Sequence, residues 1–189
     1  MRIKRSDCVL VVVDVQARLI ETIVEHEAVV QNILALIKVA QTLQLPILAT
    51  EQENLGETVP ELKALLPNPV TRKLTFSSCD SLEFMTKLNT IRRKTVIMCG
   101  VETHICVSQT VLDLLHGHYR VVVIRDATSS HALLDRETAL RRMETKGAEI
   151  TTSEAVIYEL AEKAGTEEFR SILDIVKERR TSGSEPQST

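Results

Sequence analysis

Apolar residues in this chain fall into short unbroken runs rather than alternating with polar ones. Cys8–Val13, residues 95–98 and residues 119–124 are rich in β-branched side chains and bounded by charged or turn residues. Residues 45–49 form a fourth such run, and 73–75 and 148–151 are weaker candidates. A strand that is apolar on both faces is the mark of a parallel sheet covered by helices on each side. Helical periodicity fills the gaps. Val29, Val30, Ile33, Leu34, Ile37, Val39 and Ala40 recur every three to four positions, with Gln31, Asn32, Lys38 and Gln41 opposite them. A second amphipathic pattern uses Val107, Val111, Leu112, Leu114 and Leu115 and stops at Gly117; a third uses Leu134, Ala139, Leu140 and Met143 and stops at Gly147. Glycine just past the last periodic residue is a helix-ending signal. Thr152-Ser153-Glu154 predicts the start of a helix through Leu160, and Thr166-Glu167-Glu168 the start of one reaching Lys177.

Strands alternating with helices imply right-handed βαβ units. We therefore expect an α/β fold: three α/β/α layers around a mostly parallel, six-stranded, Rossmann-like sheet. The stretch 51–81 breaks the alternation, with Gly56, Pro60, Pro67 and Pro69 and little periodicity. Long irregular stretches inside compact domains tend to be functional or disordered. Leu55, Val59, Leu62, Leu65 and Leu66 favour an ordered, functional segment here. Residues 181–189 lack apolar side chains and read as a disordered tail, which leaves 1–180 as one domain.

Composition narrows the function. The 189 residues carry 23 Lys+Arg against 26 Asp+Glu, a net charge of −3, and only 3% are aromatic. Neither the basic patch nor the stacking platform of a nucleic-acid binder is expected. The longest clean apolar run, Cys8–Val13, is far shorter than the roughly 20 residues of a membrane helix. The opening residues show no small-residue cleavage site, so no signal peptide is expected. The four cysteines form no CxxC pair, which suits reduced thiols in the cytoplasm.

In open parallel sheets the ligand crevice lies beyond the carboxyl ends of the strands. Asp14 follows the first run directly, Lys73 stands beside the weak third one, and the run at 95–98 leads through Gly100 to Cys106 at the start of a helix. The unpaired N–H groups of a helix N-terminus favour a thiolate. An Asp, a Lys and a Cys thus have the means to meet in one crevice. Cys8 and Cys99 sit in buried runs and read as core, while Cys79 near Lys73 is ambiguous.

At these residues the chain resembles the isochorismatase-like cysteine hydrolases, which include nicotinamidases and N-carbamoylsarcosine amidases. Val11-Val-Val-Asp14-Val-Gln16 resembles the family's first-strand aspartate segment, Arg72-Lys73-Leu-Thr-Phe76-Ser its lysine segment, and Gly100-Val-Glu-Thr103-His-Ile-Cys106-Val107 its nucleophile segment. Thr50-Glu51-Gln52, Thr58-Val-Pro-Glu-Leu62 and Thr152-Ser-Glu-Ala155 look most like the isochorismatase-domain-containing proteins. The resemblance covers residues 7–178. It implies the isochorismatase-like hydrolase fold and a catalytic triad of Asp14, Lys73 and Cys106. It also implies a cis peptide between Val101 and Glu102, and an oxyanion hole from the N–H groups of Glu102 and Cys106. Cys106 would attack the carbon of a small amide or related C–N substrate, giving a thioester that water hydrolyses. Gln16, Gln52, Phe76, Val101 and His131 are expected to line the substrate pocket. Nicotinamidases carry an Asp-x-His metal cluster after the second strand, where this chain reads Thr50-Glu-Gln-Glu-Asn-Leu-Gly56. No metal and no cofactor are therefore expected.

A small-molecule substrate is the expected partner, with no nucleic acid and no membrane, in a homo-oligomer (dimer or higher). The competing reading is a non-catalytic binding or interaction member of the same fold. Dinucleotide binding lacks its fingerprint, since Asp14-Val-Gln-Ala-Arg stands where a Gly-x-Gly-x-x-Gly turn belongs. Of the histidines, His104 is two residues from Cys106 and faces another way on a helix, while His26, His116 and His118 read as surface.

Overall fold

A computed structural model of the chain describes residues 2–182. Six parallel strands make one sheet in the order β3-β2-β1-β4-β5-β6: β1 (Cys8–Val13), β2 (Ile47–Gln52), β3 (Thr71–Lys73), β4 (Thr95–Val101), β5 (Arg120–Ser129) and β6 (Glu149–Thr151). The unbroken apolar run of β1 serves both faces. Cys8, Leu10 and Val12 join one core with the inward side of α2 (His26–Thr42), α7 (Ser153–Ala161) and α8 (Glu167–Ser182). Val9, Val11 and Val13 join the other core, with α4 (Leu82–Ile91), α5 (Ser108–His116) and α6 (Leu133–Thr145). Single-turn helices α1 (Ala17–Ile20) and α3 (Pro60–Lys63) lie in the connections after β1 and β2. Among the described residues no helix is long and apolar enough to cross a membrane.

Several boundaries differ from those the sequence predicts, each for a local reason. β5 continues past Ile124 because Arg125 and Asp126 occupy a bulge, after which Thr128 rejoins β4 opposite Gly100. The bulged Asp126 caps α7, its carboxylate accepting the Ser153 N–H at 2.7 Å and the Ser153 hydroxyl at 2.7 Å. Thr152 caps the same helix from within, accepting the Ala155 N–H. α4 has no counterpart in the periodicity reading, although Phe84, Met85, Leu88 and Ile91 share its core-facing side. Its start is nonetheless written in Ser81, whose hydroxyl accepts the Phe84 N–H at 3.3 Å. The turn that closes α5 puts the left-handed residue at His118 rather than at Gly117. α8 runs past Lys177 to include Thr181, and residues 183–189 of the expected tail lie outside the described residues. Arg179 fastens α8, its guanidinium donating to Asn32, to the Ser153 hydroxyl and to Glu154.

The reversal of strand order falls between β1 and β4, and there the two strands come unusually close. Gly100 pairs with Val13 at φ +120°, and a Cβ at Gly100 would sit 2.1 Å from the Val13 carbonyl oxygen. Only glycine fits. Gly100→Ala is expected to cost more than about 4 kcal/mol, enough to prevent purification of a folded chain or to lower its denaturant midpoint sharply; a near-native midpoint would show that β4 has slack at this point.

Candidate active site

Each reactive residue named from the sequence stands at the carboxyl edge of the sheet. Asp14 follows β1 directly, in the left-handed region at φ 51°, which Asp tolerates better than most side chains. Lys73 is the last residue of β3, in register with Gln52 of β2. Cys106 lies after β4, in a π-helical turn over Thr103–Val107 that leads into α5.

Lys73 and Asp14 form an ion pair at 2.7 Å with both side chains 0% exposed. Such a pair is tolerable only when its remaining hydrogen-bonding capacity is met. The ammonium also reaches Gln52 Oε1 at 2.8 Å and the carbonyls of Thr75 and Phe76 at 3.2 Å each. The second oxygen of Asp14 accepts the Thr50 hydroxyl at 2.7 Å, and the Asp14 N–H donates to the Thr50 carbonyl. Thr50 is a site residue that the sequence reading overlooked. Its signal was a hydroxyl at the end of an otherwise apolar strand, one position beyond the predicted run.

The Cys106 side chain is close to both members of the pair, in a residue only 7% exposed. Burial pushes its thiol up to about 12; the Asp14 carboxylate adds to the rise, and the Lys73 ammonium opposes it. At Cys106 the loss of water therefore opposes the ionisation that the start of a helix favours. Burial likewise raises Cys8 and Cys79 to about 12, and Cys99 further.

The residues expected to line a pocket divide. Gln16 is buried, with its amide committed to backbone: Nε2 donates to the carbonyls of Gln52 and Gly56, and Oε1 accepts the Gln52 N–H. Gln52 spans inside and outside, holding Lys73 with Oε1 and bordering a cleft of about 310 Å³ that Arg18 and Arg72 also line. Phe76 is exposed, Val101 is buried, and the Val101–Glu102 peptide is cis. His131 is exposed; its N–H donates to the Glu102 carboxylate at 2.9 Å, and its ring meets the Thr22 carbonyl. His104 turns away from Cys106, its Nδ1 2.9 Å from the Ser130 hydroxyl. Among the described residues no three His, Cys, Asp or Glu side chains converge as a metal site would require.

Residues 8–155 match the family described as the isochorismatase domain. The chain belongs to that family. Within the isochorismatase family it is 38% identical over 179 residues to mouse isochorismatase domain-containing protein 2A, covering 94% of this chain and 86% of the relative. The solved structure named MAR1 ribonuclease from Caenorhabditis elegans superposes with a TM-score of 0.89 at 33% identity, covering 100% of both chains. YcaC from Pseudomonas aeruginosa, solved with hexane-2,5-diol and covalent acrylamide, gives a TM-score of 0.84 at 27% identity over 97% of this chain and 98% of that one.

Two predictions follow from the electrostatics. Lys73→Met is expected to cost about 3–5 kcal/mol through the unpaired buried carboxylate and to move the Cys106 titration higher still, whereas Asp14→Asn is expected to lower it. The pH dependence of Cys106 alkylation, followed on its own peptide, tests both signs. The raised thiols also make an alkaline limit. A thiol whose pKa is about 12 when folded and 9.0 when free contributes stability that is full below pH 9 and is lost as pH climbs towards 12. Denaturant midpoints are therefore expected to fall progressively above pH 9, and a flat profile to pH 11 would contradict the burial of these thiols.

Proposed function

We propose that this protein is a metal-independent cysteine hydrolase of a small amide or related C–N substrate. The observation that carries the reading is the convergence of Cys106 on a fully buried Asp14–Lys73 pair. Because burial opposes ionisation of the thiol, the proton in this reading leaves during attack. As the Cys106 sulfur bonds to the substrate carbon, its proton passes to Asp14 and the carbonyl electrons move onto oxygen. The N–H groups of Glu102 and Cys106 receive that oxyanion. Lys73 balances the negative charge while Asp14 is ionised and stabilises sulfur as its S–H bond breaks. Asp14 then gives the proton to the departing amine, the C–N bond breaks, and a thioester remains. Water loses a proton to Asp14, attacks the thioester and frees the acid, and the proton returns to sulfur.

Gln52, bridging Lys73 and the cleft, with the exposed Phe76 and His131, is our choice for substrate contact. The donors on hand do not suit a metal, since the end of β2 and the segment after it offer Glu51 and Glu53 but no histidine. Glu51 is moreover engaged by the Thr58 N–H and hydroxyl at 2.7 and 2.8 Å. The ribonuclease name of the nematode structure suggests RNA as substrate, but a net charge of −3 and 3% aromatic content speak for a small molecule here. We further propose a cytoplasmic homo-oligomer, on the strength of four unpaired thiols and of the exposed Leu74 and Phe76 beside the site.

The test is ammonia or amine release from a panel of small amides, ureas and carbamoyl compounds, with acrylamide as a covalent probe. Turnover is expected to vanish in Cys106→Ala and in Asp14→Asn and to survive chelation, with acrylamide found on the Cys106 peptide. Turnover that persists without Cys106, or that disappears with a stoichiometric metal, would refute the mechanism. A panel with no turnover and no adduct would favour a binding module on this fold.

A further inference from the structure

The segment after β3 is tied to the helix that follows Cys106 by bonds the reaction itself does not use. Lys73 takes two of its four acceptors, the Thr75 and Phe76 carbonyls, from the chain immediately downstream of it. That turn is held by the Thr75 hydroxyl, which donates to the Ser77 carbonyl at 2.9 Å. The next two residues then reach across to α5. The Ser77 hydroxyl donates to Asp113 Oδ2 at 2.6 Å and accepts the Cys79 N–H at 3.2 Å. The Ser78 N–H donates to the Thr110 hydroxyl at 2.9 Å, with the Ser78 hydroxyl 3.3 Å from the same oxygen. Thr110 passes its own proton to the Cys106 carbonyl at 2.7 Å. Ser77, Ser78 and Thr110 are buried, so none of these bonds competes with bulk water on both sides.

Cys106, Thr110 and Asp113 are spaced by four and then three residues, which puts them on one helical face. That face looks onto the lysine turn. β3, an edge strand of three residues, gives little backbone pairing with which to hold Lys73, and the turn supplies what the strand lacks.

We infer that Thr110 and the Ser77–Asp113 pair are positioning residues, a two-point clamp that fixes the distance between the Lys73 ammonium and the Cys106 sulfur. The inference rests on the proposed roles of Cys106 and Lys73. It adds to them a reason why the two stay matched although they come from opposite sides of β1. One thread runs from the Cys106 carbonyl through Thr110 to Ser78. The other runs from Asp113 through Ser77 to the turn whose carbonyls hold the ammonium. Loosening either lets the ammonium withdraw, and the sulfur loses the cation that favours its ionised form.

The experiment reads the alkylation rate of Cys106 against pH, on its own peptide, in wild type, Thr110→Val, Thr110→Ser, Ser77→Ala and Asp113→Ala. Unfolding midpoints are measured alongside. Thr110→Val keeps the shape and removes the hydroxyl; it is expected to shift the Cys106 profile upward by about one pH unit, which slows alkylation about tenfold at a fixed pH below the transition. Thr110→Ser is expected to restore the wild-type profile, and Ser77→Ala and Asp113→Ala to shift it in the same direction as valine does. Asp113 is exposed, so its alanine variant carries the test if Thr110→Val does not fold. A lowered midpoint with an unmoved pH profile would make the network purely structural and overturn the inference. Lys73→Met separates the two levels of argument. If it moves the profile and the clamp variants do not, the clamp alone fails; if Lys73→Met leaves the profile unchanged, the role assigned to Lys73 fails with it.

Discussion

An ammonium and a carboxylate with no access to water organise this end of the molecule. Removing two charges from solvent is costly, and the cost is offset only if every donor and acceptor on them is met. Lys73 and Asp14 meet that condition by drawing on four separate segments. β1 delivers the carboxylate, β3 the ammonium, β2 supplies Thr50 and Gln52 from between them, and the turn after β3 adds two carbonyls. The pair therefore depends on the register of three strands at once. A slip between β2 and β3 would separate Gln52 from Lys73, and one between β1 and β2 would separate Thr50 from Asp14.

The sheet meets this demand from the other side as well. β4 must pass close enough to β1 for Cys106 to arrive beside Asp14, and Gly100 permits the approach by having no side chain to set against Val13. Asp14 itself leaves β1 through a left-handed turn, so that its carboxylate lies at the reversal of strand order where β2 and β4 diverge to opposite sides. In doubly wound sheets that reversal is where a crevice opens. Here the pair of charges and the sulfur lie at that edge of the sheet.

Much of this was legible in the sequence where the signal is local. The apolar run of β1, ending at Asp14, marks both a two-sided strand and the residue placed at its tip. Three short motifs in order were enough to suggest the family and to bring Asp14, Lys73 and Cys106 to one edge. What escaped was set by tertiary context. β3 lies at 71–73 and not 73–75, because Lys73 ends the strand and the residues after it fold back to hold its ammonium. β5 looked complete at Ile124, since a bulge carrying Arg125 and Asp126 resembles the end of a strand. α4 escaped although Phe84, Met85, Leu88 and Ile91 recur at helical spacing, because the stripe is short and sits beside the irregular stretch 51–81. The burial that opposes ionisation of Cys106 was not legible for a related reason: a helix start can be read from spacing, whereas the extent of burial depends on side chains from both neighbouring elements.

Burial holds the Cys106 thiol high, which disfavours its ionised form at neutral pH. Peroxides and other oxidants attack the thiolate, so burial that disfavours ionisation also makes a thiol a poorer target for sulfenic and sulfinic acid formation. A nucleophile that waits fully charged faces that hazard continuously. One that keeps its proton beside a carboxylate trades instant readiness for endurance.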